Sequence, residues 1–242
     1  MLATESEATA PVTVAEPPPV LESGDTMRSR EFLRRYERMP HVKKAELIEG
    51  VVYIGSPVRR VHAQPDGLIQ TWLGTYAAQT PGTEALPNAT VILDPDNTTQ
   101  PDALLRLLTE RGGRTRENAE GYLVGPPELV VEIAASSASI DLHDKLRAYR
   151  RSRVLEYLVW RTAEHRFDWF CLEEDEYLPQ TPDAQGLLRS RTFPGLVLAL
   201  KPLLDLDTAG VLAALETGLA SDAHAAFGGT GCEGEHKSVE SV

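Results

Sequence analysis

The chain has 242 residues, of which 42% are hydrophobic, and it carries a formal net charge of −12 at pH 7. This length allows one full hydrophobic core, and no apolar run approaches the roughly 20 residues that a membrane-spanning helix needs. The sequence contains two cysteines, Cys171 and Cys232, which lie far apart. This spacing excludes a disulfide framework and a thiolate zinc site and predicts a cytoplasmic protein.

The acidity is concentrated at the two ends of the chain. Residues 1–27 contain five acidic residues and no Lys or Arg, and residues 205–242 contain seven acidic residues and one lysine. The middle contains two basic clusters, the first formed by Arg28, Arg30, Arg34, Arg35, Arg38, Lys43 and Lys44 and the second by Lys145, Arg147, Arg150, Arg151 and Arg153. Such clusters can neutralise nucleic-acid phosphates, although the solvated face of a helix explains either one at least equally well.

The first third of the chain predicts a disordered arm followed by two helices with a hairpin between them. Residues 1–26 are rich in Pro, Thr, Ala and Glu and contain no secretory signal, so we expect them to be disordered. The elements predicted from apolar spacing are a helix over 28–39, strands over 45–48 and 51–55 that turn at Glu49 and Gly50, and a helix over 60–78. We expect Pro65 to disturb the start of the last helix.

The rest of the chain alternates strands with connecting segments. The predicted elements are a strand in "TVILDP" (90–95), a strand in "QPDALLRLL" (100–108), a connecting segment over 109–127, a strand over 128–134, a helix over 141–152, an antiparallel meander over 154–179, and a strand with a short helix over 193–205. The leucines of "QPDALLRLL" would also suit a short helix. The mixture of periodicities predicts an α/β (α+β) domain over 27–207. We expect residues 208–242 to contain a helix remnant and an acidic tail that is disordered over 221–242.

Three acidic residues have apolar or tightly turned surroundings: Glu46 in "AELIEG", Asp102 in "QPDALL" and Glu132 in "LVVEIA". Burial of a lone carboxylate is costly unless the group is paired or binds a metal. Because side chains alternate along a strand, Glu132 shares a face with Val130 and Ala134. Converging acids would suit Mg²⁺ or Mn²⁺. Taken singly, each acid is better explained as a strand-end residue paired with an arginine or a backbone amide.

The helix over 141–152 adds a candidate cation. Asp141, Lys145 and Tyr149 are spaced by four residues and therefore share one helix face. Asp141 can instead be an N-cap, and Asp141 with Lys145 an ordinary surface pair. A functional site requires this face to turn towards Glu132. No zinc, nucleotide-binding or nucleophile-elbow motif occurs in the sequence.

Several short motifs follow one another in order along the chain. They are "ELIEGVVYIGSP", His62 ahead of a helix, "QPD", "PPELVVEIAASS", "DLHDKLRAY", "VLEYLVW" and "FPGLVLAL". Their order resembles the Uma-type putative restriction endonuclease family of the PD-(D/E)xK nuclease superfamily. The resemblance covers about 28–206 and implies a restriction-endonuclease-like mixed β-sheet core flanked by helices.

The resemblance also implies which acids are catalytic. Asp102 is similar to the PD aspartate and Glu132 to the second acid, so both would be metal ligands. The carbonyl of Ile133 would be a third ligand. Glu46 is similar to the upstream helper acid.

The lysine of the superfamily pattern stands two residues after the second acid, and this position is Ala134 here. Lys145 matches the lysine that the following helix supplies in this family. It would orient the attacking water or stabilise transition-state charge. Asp141 and Tyr149 match neighbouring polar positions of the family, and His62 would be a further supporting residue.

The implied function is metal-dependent endonucleolytic hydrolysis of DNA phosphodiester bonds, with Mg²⁺ (or Mn²⁺) as cofactor, DNA as partner and no role for a membrane. A homodimer is compatible with the sequence, which leaves the oligomeric state open. Two departures, "ASS" where the family commonly has "SPS" and the acidic ends, favour an alternative, a catalytically inactive nucleic-acid- or protein-binding module on the same fold. A third hypothesis is an enzyme that acts on another phosphoester or nucleotide.

Overall fold

The computed structural model describes residues 19–55, 57–135 and 138–229. The helices are α1 (Ser29–Tyr36), α2 (Arg60–Ala78), α3 (Ala138–Ile140), α4 (Leu146–Arg151), α5 (Leu200–Leu204), α6 (Thr208–Leu219) and α7 (Asp222–Gly229), with a π-helical turn over Asp141–Lys145. The strands are β1 (Ala45–Ile48), β2 (Val51–Ile54), β3 (Thr83–Pro87), β4 (Val91–Asp94), β5 (Asn97–Thr99), β6 (Ala103–Leu107), β7 (Arg116–Glu117), β8 (Leu123–Val124), β9 (Leu129–Ala134), β10 (Glu156–Arg161), β11 (Arg166–Glu173), β12 (Glu176–Pro179), β13 (Leu187–Arg189) and β14 (Val197–Ala199). None of these described helices is long and apolar enough to cross a membrane.

The described strands form two six-stranded sheets and a small pair made by β13 and β14. The first sheet has the order β2-β1-β5-β4-β8-β7, and the second has the order β12-β11-β10-β9-β6-β3. Each sheet is mixed, because β4 pairs with β8 and β9 with β10 in parallel while the other neighbours are antiparallel. The predicted α+β class, a mixed sheet flanked by helices, is confirmed.

The hairpin of β1 and β2 turns where the sequence predicts. Glu49 and Gly50 both have positive φ angles, 53° and 77°. Two consecutive residues of this kind make a tight turn whose twist matches that of the flanking strands. The hairpin fixes the position of Glu46 within β1.

Strand β9 lies inside the second sheet and is buried along its whole length. One face, which includes Val131, packs against α2 and the C-terminal helices, and the other face, which includes Val130 and Ala134, packs against Tyr149 of α4. The predicted alternation of faces along this strand is confirmed. It places Glu132 on the side that α4 covers.

The parallel pairing of β9 and β10 requires a crossover, which α3, the π-helical turn and α4 provide. Helical structure therefore begins at Ala138, three residues before the predicted start. The π-helical turn contains Asp141 and Lys145, and both side chains are buried. Such turns often occur at functional sites.

Helix α2 runs from Arg60 to Ala78 and contains Pro65, so the expected disturbance of its start does not occur. Pro65 stands in the second turn of the helix, so the backbone hydrogen bond that it removes is one to a carbonyl of the first turn. The helix is held to the core by Trp72, whose indole N–H donates to the carbonyl of Val197 at 2.9 Å. This packing fixes the first turn of α2, which carries His62.

The prediction that both ends of the chain are disordered is wrong for part of each end. Residues 19–26 lie beside the hairpin of β1 and β2: Leu21 is buried, and Thr26 forms a β-bridge with Val51. At the other end α7 forms a helix within the predicted tail, and the ring of His224 bonds the hydroxyl of Thr80 at 2.9 Å. Residues 1–18 and 230–242 lie outside the described residues, and the domain boundaries at 27 and 207 stay a prediction.

Candidate active site

The predicted acidic residues come together where the two sheets meet. Asp102 ends the link between β5 of the first sheet and β6 of the second. Strand β6 pairs with β9 so that Ala103 lies opposite Val131, and Asp102 therefore lies at the part of the sheet that carries Glu132. Glu46 approaches from β1, and its carboxylate contacts the same ammonium, that of Lys145, as Glu132 does.

Asp102 is buried and has three donors around its carboxylate. Lys44 Nζ donates to Oδ1 at 2.8 Å, the backbone N–H of Ile133 donates to Oδ2 at 2.7 Å, and His62 Nε2 lies 3.3 Å from Oδ2. Burial alone would raise the pKa of Asp102, but the hydrogen bond from His62 and the charge of Lys44 outweigh it and hold this pKa well below its usual range. Asp102 is therefore firmly ionised.

His62 is a partner of Asp102 and not an isolated residue at the surface. Its hydrogen bond to Asp102 raises the pKa of His62, although burial acts in the opposite direction. The other ring nitrogen, Nδ1, is buried and makes no hydrogen bond with the described part of the chain. His62 therefore lies beside Asp102, and its supporting role stays a prediction.

Lys145 is the cation at the centre of the cluster. Its Nζ lies 2.8 Å from Glu46 Oε2, 3.0 Å from Glu132 Oε1 and 3.5 Å from Asp141 Oδ1. Burial alone would lower the pKa of Lys145, but these three carboxylates raise it well above its usual range. Lys145 therefore stays charged.

The helix face that carries Asp141 and Lys145 turns towards Glu132, as a functional site requires. Asp141 lies inside the helical segment and not at its N-cap, and both residues are buried. The interpretation of this pair as a surface ion pair is therefore wrong.

Glu132 is the most deeply enclosed acid of the predicted catalytic set, with 2% of its side chain exposed. Besides Lys145, the hydroxyl of Tyr149 donates to its Oε1 at 2.9 Å. Burial raises the pKa of Glu132 to about 8, against the lowering effect of Lys145. Burial and the neighbouring carboxylate also raise the pKa of Tyr149 well above its usual range, so that its hydroxyl remains a donor. Because Glu132 holds its charge less firmly than Asp102, a further cation beside it would favour its ionised form.

The cluster contains more buried acids than cations. The four acids are Glu46, Asp102, Glu132 and Asp141, and the two ammonium groups that contact them belong to Lys44 and Lys145. Four carboxyl groups around two ammonium groups would favour a further cation, which would keep Glu132 ionised, and carboxylate oxygens are the ligands that Mg²⁺ and Mn²⁺ prefer.

A metal site built entirely from protein side chains is not present in the described residues. Across 19–55, 57–135 and 138–229, no group of three or more His, Cys, Asp or Glu side chains is arranged to hold a metal ion. Mg²⁺ usually needs only one or two carboxylates, because waters and substrate phosphates complete its shell. The carbonyl of Ile133, the expected third ligand, accepts a hydrogen bond from the N–H of Ala135 at 3.1 Å. A site of this kind would take two carboxylates, those of Asp102 and Glu132, from the protein.

Sequence reasoning missed Lys44 and Gln100 as members of the site. The backbone N–H of Gln100 donates to Glu46 Oε1 at 2.8 Å, which fixes the second oxygen of that carboxylate. The available signal for Lys44 was its position two residues before Glu46, because alternate residues of an extended segment share a face. This spacing was overlooked because Lys44 also belongs to the first basic cluster.

Acidic residues neutralise most of the two basic clusters. The pairs are Arg28 with Asp96, Arg34 and Arg35 with Glu31, Arg147 with Asp144, Arg150 with Glu176, Arg151 with Glu49, and Arg153 with Asp175. Within the described chain, the exposed cations that make no ion pair and no side-chain hydrogen bond are Arg30, Arg38, Lys43, Arg59 and Arg60. Lys43 adjoins Lys44, and Arg59 and Arg60 stand at the start of α2, just before His62.

The mixed sheet flanked by helices is a restriction-endonuclease-like fold, and it brings buried acids together with a lysine of the crossover segment. The family that matches residues 30–201 is described as "Uma2: Putative restriction endonuclease". The chain belongs to this family, and the family predicted from the order of the motifs is confirmed.

A solved structure supports the same fold. It is a protein from Anabaena variabilis ATCC 29413, described as a putative nuclease belonging to DUF820, and it superposes with a TM-score of 0.58 over 72% of this chain and 97% of that chain. The two sequences are 14% identical, so the likeness concerns the fold alone. No curated protein matches the chain.

Proposed function

We propose that the protein is a metal-dependent endonuclease that hydrolyses phosphodiester bonds in DNA. The observation that carries this proposal is the pair of buried acids, Asp102 and Glu132, in a cluster whose carboxylates outnumber its ammonium groups. Buried acids in such excess are costly, and a bound cation would offset that cost. Membership of a family described as putative restriction endonucleases supports DNA as the substrate.

Asp102 and Glu132 would hold the Mg²⁺ or Mn²⁺ ion, which when bound would lower the pKa of a water and neutralise charge on the phosphate. The protein's own residues orient these two carboxylates. Ile133 N–H and His62 fix Oδ2 of Asp102. Lys145 and Tyr149 fix Oε1 of Glu132. Preorganised ligands of this kind bind a cation without first losing conformational freedom.

Glu46 and Asp141 would complete the electrostatic balance around Lys145. They share its ammonium with Glu132, so Glu132 alone does not neutralise Lys145. This sharing leaves part of the negative charge of the cluster available to a divalent cation.

The DNA backbone would approach from the side of the site that carries unpaired cations. Arg59 and Arg60 precede His62, and Lys43 precedes Lys44. The side chains of His62 and Lys44 both contact Asp102. Arg60 also lines a depression with His165, and the described lining of this depression contains no acidic residue. Such cations bind phosphates without reading the base sequence.

The experiment is a plasmid nicking assay with purified protein and Mg²⁺ or Mn²⁺, compared with a chelator. We expect nicks or cuts that need the metal, and Asp102→Ala and Glu132→Ala are expected to reduce the rate at least about 100-fold. Asp175→Ala is the matched control, because this acid pairs with Arg153 at the surface and should leave the rate unchanged. Full activity in both site variants would contradict the proposal.

A second function, a non-catalytic DNA-binding module, has one observation in its favour. Ala134 stands at the lysine position of the superfamily pattern, and its side chain packs in the apolar core. This alternative predicts salt-sensitive DNA binding by the wild-type protein with no cleavage in either metal. Filter binding at several salt concentrations, run beside the nicking assay, separates the two functions.

A further inference from the structure

The two lysines of the site differ in what their ammonium groups can still bind. A lysine ammonium has three hydrogens to donate. Lys145 Nζ has three carboxylate partners, on Glu46, Glu132 and Asp141, within 2.8–3.5 Å, and 5% of its side chain is exposed. Lys145 therefore has no hydrogen left for a water or a phosphate while these contacts hold.

Among the residues that the structure describes, Lys44 has one carboxylate partner, Asp102, and 27% of its side chain is exposed. Two hydrogens of its ammonium are therefore free to bind a group that arrives from solvent. The backbone around it is firmly placed, because the carbonyl of Lys44 accepts from the N–H of Gly55 at 2.8 Å. A side chain at position 55 would meet Cβ of Lys44 at 3.1 Å, so the glycine keeps this space open.

One of the two oxygens of the Asp102 carboxylate can exchange its partner for a metal ion. Oδ2 already accepts from Ile133 N–H and His62, whereas Oδ1 contacts Lys44. A cation that binds Asp102 would therefore compete with the ammonium of Lys44 for Oδ1, because like charges repel at this distance.

We propose that Lys44 is a catalytic residue, whose ammonium occupies Oδ1 of Asp102 in the metal-free protein and contacts a non-bridging oxygen of the scissile phosphate when a divalent cation is bound. Lys145 is then a positioning residue that holds Glu46 and Glu132. Lys44 forms no covalent bond and keeps its proton, and its contribution is to stabilise negative charge that develops on the phosphate. This inference rests on the proposed nuclease function.

Lys44→Met tests both parts of the inference in the full-length protein. The variant should fold, because Asp102 keeps Ile133 N–H and His62 as donors, and circular dichroism with a thermal melt checks this. Calorimetric titration with Mn²⁺ should give an affinity about tenfold higher than that of the wild type, because a competing charge has been removed. Cleavage at saturating Mn²⁺ should fall about 100-fold, and Lys44→Arg should restore part of the rate.

Lys201→Met is the control, because this lysine is exposed and pairs only with Asp205 on the surface of α5. It should change neither the Mn²⁺ affinity nor the cleavage rate. A purely structural Lys44 would give a Lys44→Met protein with weaker or unchanged Mn²⁺ binding, which would overturn the inference. Lys44→Gln provides the same readouts if the methionine variant aggregates.

The outcomes separate this inference from the proposed function. If the wild type cleaves DNA and Lys44→Met cleaves at the same rate, the role of Lys44 is overturned and the nuclease function stands. If the wild type cleaves no DNA with either metal, the nuclease function and the catalytic role of Lys44 both fail. Tighter Mn²⁺ binding together with slower cleavage in Lys44→Met supports the inference.

Discussion

Two buried glutamates on neighbouring strands, Glu132 of β9 and Glu156 of β10, are stabilised in different ways. They are 2% and 1% exposed. Glu156 stands at the start of its strand and accepts from Trp169 Nε1 at 2.7 Å and Ser190 Oγ at 2.7 Å, and from the backbone N–H groups of residues 191 and 192. Glu132 stands three positions further along the parallel pair and contacts the ammonium of Lys145.

The difference separates a structural carboxylate from one suited to chemistry. Neutral donors that are fixed in the fold hydrogen-bond both carboxylate oxygens of Glu156. These bonds also attach the loop before β14 to β10. Glu132 shares one ammonium with two other acids, so its environment changes when a cation or a proton arrives. Local sequence does not distinguish the two glutamates, because both stand next to apolar residues within strands.

The largest expected effect is the loss of stability when the cation beside Glu132 is removed. Lys145→Met leaves three buried acids without their shared cation, so we expect a loss of about 3–5 kcal/mol in the free energy of unfolding at neutral pH without metal. The loss should shrink as the pH falls, because burial raises the pKa of Glu132 in the folded protein, and proton uptake by a group whose folded-state pKa is raised favours the folded state. Urea unfolding at several pH values measures it, and a loss below about 1 kcal/mol at neutral pH would contradict the pairing.

A smaller effect is expected on the Glu156 side. Glu156→Gln places an amide N–H₂ group among donors, so one buried donor loses its acceptor and the free energy of unfolding should fall by about 1–3 kcal/mol. Glu132→Gln, the matched change, should cost little or stabilise the metal-free protein, because it removes one of four clustered acids. Chemical unfolding of both variants with a chelator present checks the contrast. Equal losses would mean that the two glutamates have the same role.

The smallest effect concerns His62, which contacts Asp102, the other acid proposed as a metal ligand. Its pKa is raised in the folded protein by the hydrogen bond to Asp102, so the pair stabilises the fold fully below the unfolded pKa of about 6.5 and loses this contribution as pH rises through the folded value. Wild type and His62→Gln should therefore differ more in free energy of unfolding at about pH 5.5 than at about pH 9. A difference that grows with pH would contradict the contact.

The sequence was sufficient to identify the main elements of the fold. The helices over α1 and α2, the turn at Glu49 and Gly50, the buried strand β9 and the meander of β10, β11 and β12 follow from apolar spacing and turn residues. "QPDALLRLL" forms β6 and not a helix, because pairing with β3 and β9 decides between the two. Strands of two or three residues, such as β7 and β8, carry too few side chains for a periodic signal.

The candidate site was predictable only in part. Asp102, Glu132 and Lys145 follow from the order of the motifs, and the structure brings them into one cluster with Glu46. Lys44 was missed, because its contact with Asp102 joins residues 58 positions apart and its basic neighbours hid its spacing to Glu46. The ordered residues 19–26 were missed for a similar reason, since their partners lie on β2 and their own composition is that of a disordered segment.

Metal-induced stabilisation measures whether the cluster around Asp102 and Glu132 takes a divalent cation. The free energy of unfolding of wild type, Glu132→Gln and Glu156→Gln is measured with a chelator and with Mn²⁺. We expect a gain of about 2.7 kcal/mol for wild type when the Mn²⁺ concentration is 100 times the dissociation constant. We expect the same gain for Glu156→Gln and none for Glu132→Gln. A gain in Glu132→Gln equal to that of wild type would contradict binding of the cation at this cluster.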